Sequence, residues 1–264
     1  MGVFDETGRF VNSTVRSAGY AVDLLLRTAA ALPYLPRRLR FTLDQAYAVG
    51  VRALPVVLVV ALFAGMILAL QTGIELAKLG QSHRIGIITA LTMCREMGPF
   101  ITAVILAATV GSAMAAEIGT MKVSDEITAL EVISVDPVNY LALPRIVALT
   151  VMCPILTAIS DFVGIFGGSI VGQIHLGVSP TYYWTSVSEA LTSSDLMVPK
   201  DVYTGLVKAL FFGCLVATVS CAAGIRASGG ALGVGLAVQN AVKNSVILII
   251  LFGYILTWFF YFLQ

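Results

Sequence analysis

Five stretches of this 264-residue chain are apolar for longer than the roughly 20 residues that a helix needs to cross a bilayer. They cover about 49–77, 85–116, 143–174, 202–225 and 232–262. Several exceed the minimum, which implies tilt or ends that project beyond the lipid. Composition agrees, because 58% hydrophobic and 12% charged residues are far from the norm for a soluble domain. The expected fold is therefore all-α and integral to a membrane, with five spans.

Orientation follows from arginine and lysine. Eleven lie in segments that share a side with the N-terminus, and only Lys78, Arg84 and Lys200 lie on the other. The N-terminus and the segment around Lys122 are thus expected in the cytoplasm, and the C-terminus outside. The cluster Trp258, Phe259, Phe260, Tyr261, Phe262 and the run Tyr182, Tyr183, Trp184, in the loop after the third span, then fit an outer aromatic belt. Residues 1–45 form a separate N-terminal unit and 46–264 the span domain. In the former, Arg9, Arg16, Arg27, Arg37, Arg38 and Arg40 punctuate Phe10, Val15, Leu24, Leu25 and Leu32. That pattern suits an interfacial amphipathic helix among anionic headgroups, or else a solvated tail. Pro33 and Pro36 break it before the first span. No basic start with a short apolar core and cleavage site marks a cleavable signal.

Residues 95–137, REMGPFITAVILAATVGSAMAAEIGTMKVSDEITALEVISVDP, change from apolar to acidic and amphipathic. Ala103, Ala107, Gly111 and Ala115 would form one small-residue ridge, useful where lipid gives no hydrophobic drive to association. Ordinary helix packing produces the same ridge. Ala61, Gly65, Ala69, Gly73 and Gly164, Gly168, Gly172 repeat the interval, for packing within one chain or between two copies. After the ridge, Ser124 suits an N-cap, Asp125 and Glu126 suit a helix start, and Asp136-Pro137 suits a helix end. The result is a short surface helix that a soluble partner can grip.

Charges inside spans suggest function. Arg95 and Glu96 point about 100° apart on a helix, so they need not pair with each other. They face either a polar cavity or outer water. Lys208 either snorkels to the outer surface or has a functional role inside the bundle. Asp161 is the deepest acid, and it either contacts a neighbouring helix or a headgroup or is simply protonated and hydrogen-bonded. Gln71 is a weaker candidate. His83 and His175 read as interface histidines. Cys94, Cys153, Cys214 and Cys221 read as small hydrophobes, with no histidine near to complete a metal site. No GxxxxGK[ST], GxSxG or HExxH occurs, which excludes P-loop ATP binding by this chain and leaves an enzyme without a recognisable constellation. The near-neutral charge gives no sign of nucleic-acid binding.

The runs REMGP, GSAMAAEIGTM and DEITALEVISVDP resemble those of the MlaE/YrbE permeases, membrane subunits of ABC transporters that work with MCE-domain proteins; the likeness covers about position 47 to the C-terminus. Two departures stand out: Thr109 where many relatives carry arginine, and Gly253 where an aspartate often precedes the tyrosine. The resemblance implies a homodimer, a cytoplasmic ABC ATPase that binds the ATP and Mg²⁺, and a periplasmic MCE partner. It also implies a coupling helix at about 117–135, with Glu117, Gly119, Asp125, Glu126, Leu130 and Glu131 as coupling positions. Its cargo would be a phospholipid held near Gln71, Arg95, Glu96 and Lys208, moved between inner and outer membranes to maintain outer-membrane lipid asymmetry. Alternatives are an ion- or proton-coupled carrier using Glu96, Asp161 and Lys208, a permease for sterols or fatty acids, and a scaffold that anchors an MCE-like protein.

Overall fold

The computed structural model describes residues 3–192 and 200–262, and every regular element among them is helical. The side chains of residues 3–15, 37 and 261 lie outside the described set, which takes in the expectations placed on Arg9, Phe10, Val15, Arg37 and Tyr261. Among the described residues, five helical segments are long and apolar enough to cross a membrane: Leu39–Lys78, Ser82–Val123, Val138–Leu176, Lys200–Ile225 and Gly230–Phe260.

An N-terminal helix, Val3–Ala31, turns Leu24, Thr28 and Ala31 inward against the fourth span and the start of the third. The tight turn Leu32–Arg38 comes next, with Pro33 and Pro36 removing the N–H groups that an α-helix would use. The first span then begins at Leu39, well before position 49, so the boundary placed at 45/46 falls inside one continuous helix. The extra turns carry Arg40 and Asp44, which suit a helix end that projects past the hydrocarbon core of the bilayer to the level of the headgroups.

The first span packs along the third. Its buried face is Val49, Ala53, Val57, Ala61, Gly65, Ala69 and Gly73, a four-residue repeat of mostly small side chains. A Cβ on Gly65 would overlap the Gly164 carbonyl, so two small-residue stripes meet backbone to backbone within one chain. We expect Gly65→Val to lower the midpoint of thermal unfolding in detergent by several degrees. Overpacking of this kind costs about 1–3 kcal/mol, and Gly50→Ala, which meets only the flexible end of Met152, will cost much less.

The second span is not a uniform helix. Two turns of it, Met93–Met97 and Ala107–Gly111, are π-helical. Each admits an extra residue and rotates the rest of the span relative to the turns before it, so the ridge Ala103, Ala107, Gly111, Ala115 does not keep one α-helical spacing. All four residues are nonetheless buried, and Gly111 meets Val216 and Ser220 of the fourth span.

The segment after the second span corrects the expected capping. The span itself runs to Val123, so Glu117 and Gly119 belong to it, and the separate helix is Glu126–Val132. Ser124 ends the preceding helix, and Asp125 takes the N-cap position with left-handed backbone (φ 59°), its side chain capping nothing. Left-handed Ser134 (φ 61°) ends the helix: its N–H donates to Glu131 O at 3.0 Å and Val135 N–H donates to Leu130 O at 2.9 Å. This is a Schellman closure with serine where glycine is usual. Asp136-Pro137 therefore opens the next helix rather than closing this one. Asp136 Oδ1 accepts from Val138 N–H at 3.1 Å, and Pro137 sits where its missing N–H is harmless.

Tyr182, Tyr183 and Trp184 lie in a helix, Pro180–Thr192, rather than in a loop. Tyr183 is not a belt residue, since its ring is fully buried over Gly168 and Gly172 and its hydroxyl donates to Ile165 O at 3.1 Å. Burial pushes the Tyr183 phenol up to about 12, so it remains a donor. The four cysteines are free thiols, three of them buried.

Candidate functional site

Pro99 shapes the polar centre. Proline has no N–H, so in the turn Met93–Met97 and its continuation the carbonyls of Arg95, four residues back, and Cys94, five back, lose a helical donor. The fourth span covers both. Gly205 lies so close to Cys94 O that a Cβ there would overlap it. One turn on, Lys208 donates Nζ to Arg95 O at 3.1 Å.

The same ammonium donates to Glu96 Oε1 at 2.5 Å and to Thr257 Oγ1, on the fifth span, at 2.9 Å. Three donors thus meet three acceptors, which satisfies a lysine whose side chain is only 4% exposed. The Thr257 hydroxyl stands 3.0 Å from Glu96 Oε1 and 2.8 Å from Gly253 O, either of which can take its single proton. Arg95 pairs through Nε with Asp201 Oδ1 at the start of the fourth span. Two cations and two carboxylates, carried on two spans and joined by a hydroxyl from a third, therefore balance one another. An unpaired charge in the apolar part of a bilayer is costly, and this pairing removes much of that cost.

Lys208 does not snorkel outward, as one sequence reading allowed; it points into the bundle toward the carbonyl that Pro99 frees. Arg95 and Glu96 each take a different partner, as the sequence reading allowed. Both stay exposed by about two fifths; their span also exposes Met97 and Phe100, and the fifth span, which carries Thr257, exposes Tyr254 and Trp258. Polar groups thus open onto an apolar face.

Gln71 stands apart. It lies on the exposed side of the first span, about 200° round from the buried Ala69. Asp161 is buried at the seam of spans two and three, in the space that a Cβ on Gly98 would need. Its Oδ1 has no hydrogen-bond partner among the described residues, and it is not bonded to Glu96 or Lys208. Asp201 and Thr257 escaped the sequence reading. Asp201, Gly205 and Lys208 do share one helical face at i, i+4 and i+7, the signal in the sequence from which Asp201 is recoverable once Lys208 is placed in the site.

At the opposite end, Glu117 bridges spans. Its carboxylate accepts from Arg145 Nη2 at 3.2 Å and lies 3.8 Å from Arg52 Nη1. Gly119 is buried against Ala227 and Val234. On the short helix, Ile127 is buried and Leu130 partly so, which pins it to the bundle. Asp125, Glu126 and Glu131 are exposed. So are Val132 and Ile133, at 79% and 67%, a bulky apolar tip that the sequence reading passed over. Thr109 donates to Ile105 O at 2.7 Å inside its own helix, which satisfies it without a partner span.

The family profile described as Permease MlaE matches residues 42–259. A probable ABC transporter permease protein of Rickettsia prowazekii is 37% identical over 226 residues, 86% of this chain and 85% of that protein. The chloroplastic protein TRIGALACTOSYLDIACYLGLYCEROL 1 of Arabidopsis thaliana is 34% identical over 84% of this chain and 62% of its own length. The intermembrane phospholipid transport system permease protein MlaE of Haemophilus influenzae is 30% identical over 95% of this chain and 94% of its own.

Proposed function

Because this multi-pass membrane protein belongs to the MlaE permease family, we propose that it is the membrane subunit of an ABC transporter whose cargo is phospholipid. The observation that carries this reading is the charge-balanced cluster of Arg95, Glu96, Lys208, Asp201 and Thr257, half open onto an apolar face. A phospholipid needs such a combination, polar partners for its headgroup and apolar surface for its tails. The headgroup phosphate can take over Arg95 from Asp201, or its amine can take Glu96 from Lys208, so binding exchanges ion pairs rather than burying a bare charge.

In one chain the cluster lies on an open surface, and a second copy supplies the opposing wall. An ABC ATPase, which binds the ATP and Mg²⁺, docks on the short helix at Asp125, Glu126, Glu131, Val132 and Ile133, while Glu117 and Gly119 fix the span that carries it. ATP-driven change acts on cargo only through contacts that differ between two states. The Pro99 turn is where such a difference would arise, since Lys208 holds side-chain and backbone groups at once. The protein resides in a bacterial inner membrane with its N-terminus in the cytoplasm, meets a periplasmic MCE-domain protein on its outer face, and maintains outer-membrane lipid asymmetry. Gln71 takes part only if the second copy brings that face to the cluster.

Purification of the tagged chain from its native membrane tests the reading. Enriched phospholipid and an associated ATPase activity that falls at least fivefold in Glu126→Lys are expected. A preparation with neither would move the assignment to an ion-coupled carrier.

A further inference from the structure

At the end of the first span opposite the charge cluster, a cavity of about 360 Å³ is lined by Arg38, Arg40, Phe41, Asp44 and Tyr140. It joins two parts of the chain that are distant in sequence, the proline-bent entry to the first span and the turn that opens the third. The Arg38 guanidinium stacks over the Tyr140 ring, 4.6 Å from its centroid, a cation–π contact that fixes the arginine but leaves its N–H groups free for an acceptor at the guanidinium edge. Neither Arg38 nor Arg40 has a carboxylate within ion-pair distance among the described residues. Two arginines without a carboxylate partner therefore line one cavity where the apolar stretch of the first span gives way to charged residues, the level at which a membrane places its headgroups.

We propose that this cavity is a binding site for a phosphodiester anion, the phosphate of a glycerophospholipid in the leaflet where the first span begins. Arg38 and Arg40 hold the phosphate. Phe41 and Tyr140, both partly exposed, lie along the upper chains. Asp44 accepts from the far end of the headgroup, so the site prefers headgroups that carry hydrogen-bond donors, ethanolamine or glycerol, over choline, which has none. The occupant bridges the proline-bent turn Leu32–Arg38 and the segment next to the short helix, and it is separate from the cargo cluster, whatever that cluster carries.

The test is native mass spectrometry of the full chain in detergent, with added dioleoylphosphatidylethanolamine, dioleoylphosphatidylcholine or inorganic phosphate. The expected result is one more phosphatidylethanolamine retained by the wild type than by Arg38→Ala/Arg40→Ala, with at least tenfold weaker retention of phosphatidylcholine at that site. Arg40→Ala alone removes an exposed residue without disturbing the Tyr140 stack, and it should weaken retention at least threefold at unchanged thermal stability. Asp44→Asn should erase the preference for ethanolamine. Equal phosphatidylethanolamine retention in wild type and Arg40→Ala would overturn the proposal, as would displacement of the lipid by millimolar inorganic phosphate, which would make this a free-anion site. Loss of lipid only when Glu96 is changed would overturn it too, since the retained lipid would then belong to the cargo cluster.

Discussion

Lys208→Met should abolish lipid transport and lower stability together. The substitution leaves the Arg95 carbonyl without the donor that Pro99 denies it and strips Glu96 of its cation. Removing one partner of a buried pair costs about 3–5 kcal/mol in soluble proteins, but the Glu96 side chain is 44% exposed. Partial hydration of the carboxylate therefore points below that range, to roughly 1–3 kcal/mol, or about 2–12 °C in the unfolding midpoint. Adding Glu96→Gln removes the orphan charge, and most of the lost stability should return. Transport should not, because an uncharged pair has no ion contact to exchange with a headgroup. Thermal unfolding in detergent measures the first effect, and lipid transfer in reconstituted vesicles the second. Recovery of transport in the double variant would show that the pair is only structural.

The second large effect lies at the other end of the molecule. Val132→Asp/Ile133→Asp should cut transport-coupled ATP hydrolysis at least tenfold while leaving the bundle as stable as before. Both side chains project from the short helix, and neither contributes to the core that holds Ile127. An apolar tip of two residues is enough to anchor a partner groove, and two carboxylates there must be desolvated on docking. Co-purification of the ATPase with the variant, at wild-type yield and activity, would contradict this placement.

Much of the fold was legible because a membrane imposes one requirement on every span, about 20 apolar residues in a helix. Boundaries were less so. The first span extends into LRFTLDQAY, where helix continues outside lipid and hydropathy gives no warning. The π turns insert single residues, which blur a four-residue repeat without breaking its apolar character. Asp136-Pro137 carries the marks of either a helix end or a helix start, and only the Schellman closure at Ser134 decides it. Tyr183 read as an outer belt residue because aromatics near a span end usually are; the glycines beneath it, Gly168 and Gly172, were assigned to helix packing instead.

The candidate site was half legible. Charges in apolar surroundings announce themselves, so Arg95, Glu96 and Lys208 stood out. Their partners did not: Asp201 lies at a span end where an acid is unremarkable, and Thr257 is a lone hydroxyl in an aromatic run. One turn after Gly253, Thr257 reaches Lys208 and stands within hydrogen-bond distance of the Gly253 carbonyl. Gln71 was chosen by polarity alone, and span rotation, which a single sequence fixes poorly, turns it away from the cluster.

The most direct measurement places the chain and its ATPase in vesicles that carry a fluorescent phospholipid, and tracks lipid movement and ATP hydrolysis in the same sample. Lipid should move only when ATP is present, and Lys208→Met should stop it while some hydrolysis persists. Hydrolysis without any lipid movement by the wild type, or movement untouched by Lys208→Met, would contradict the account.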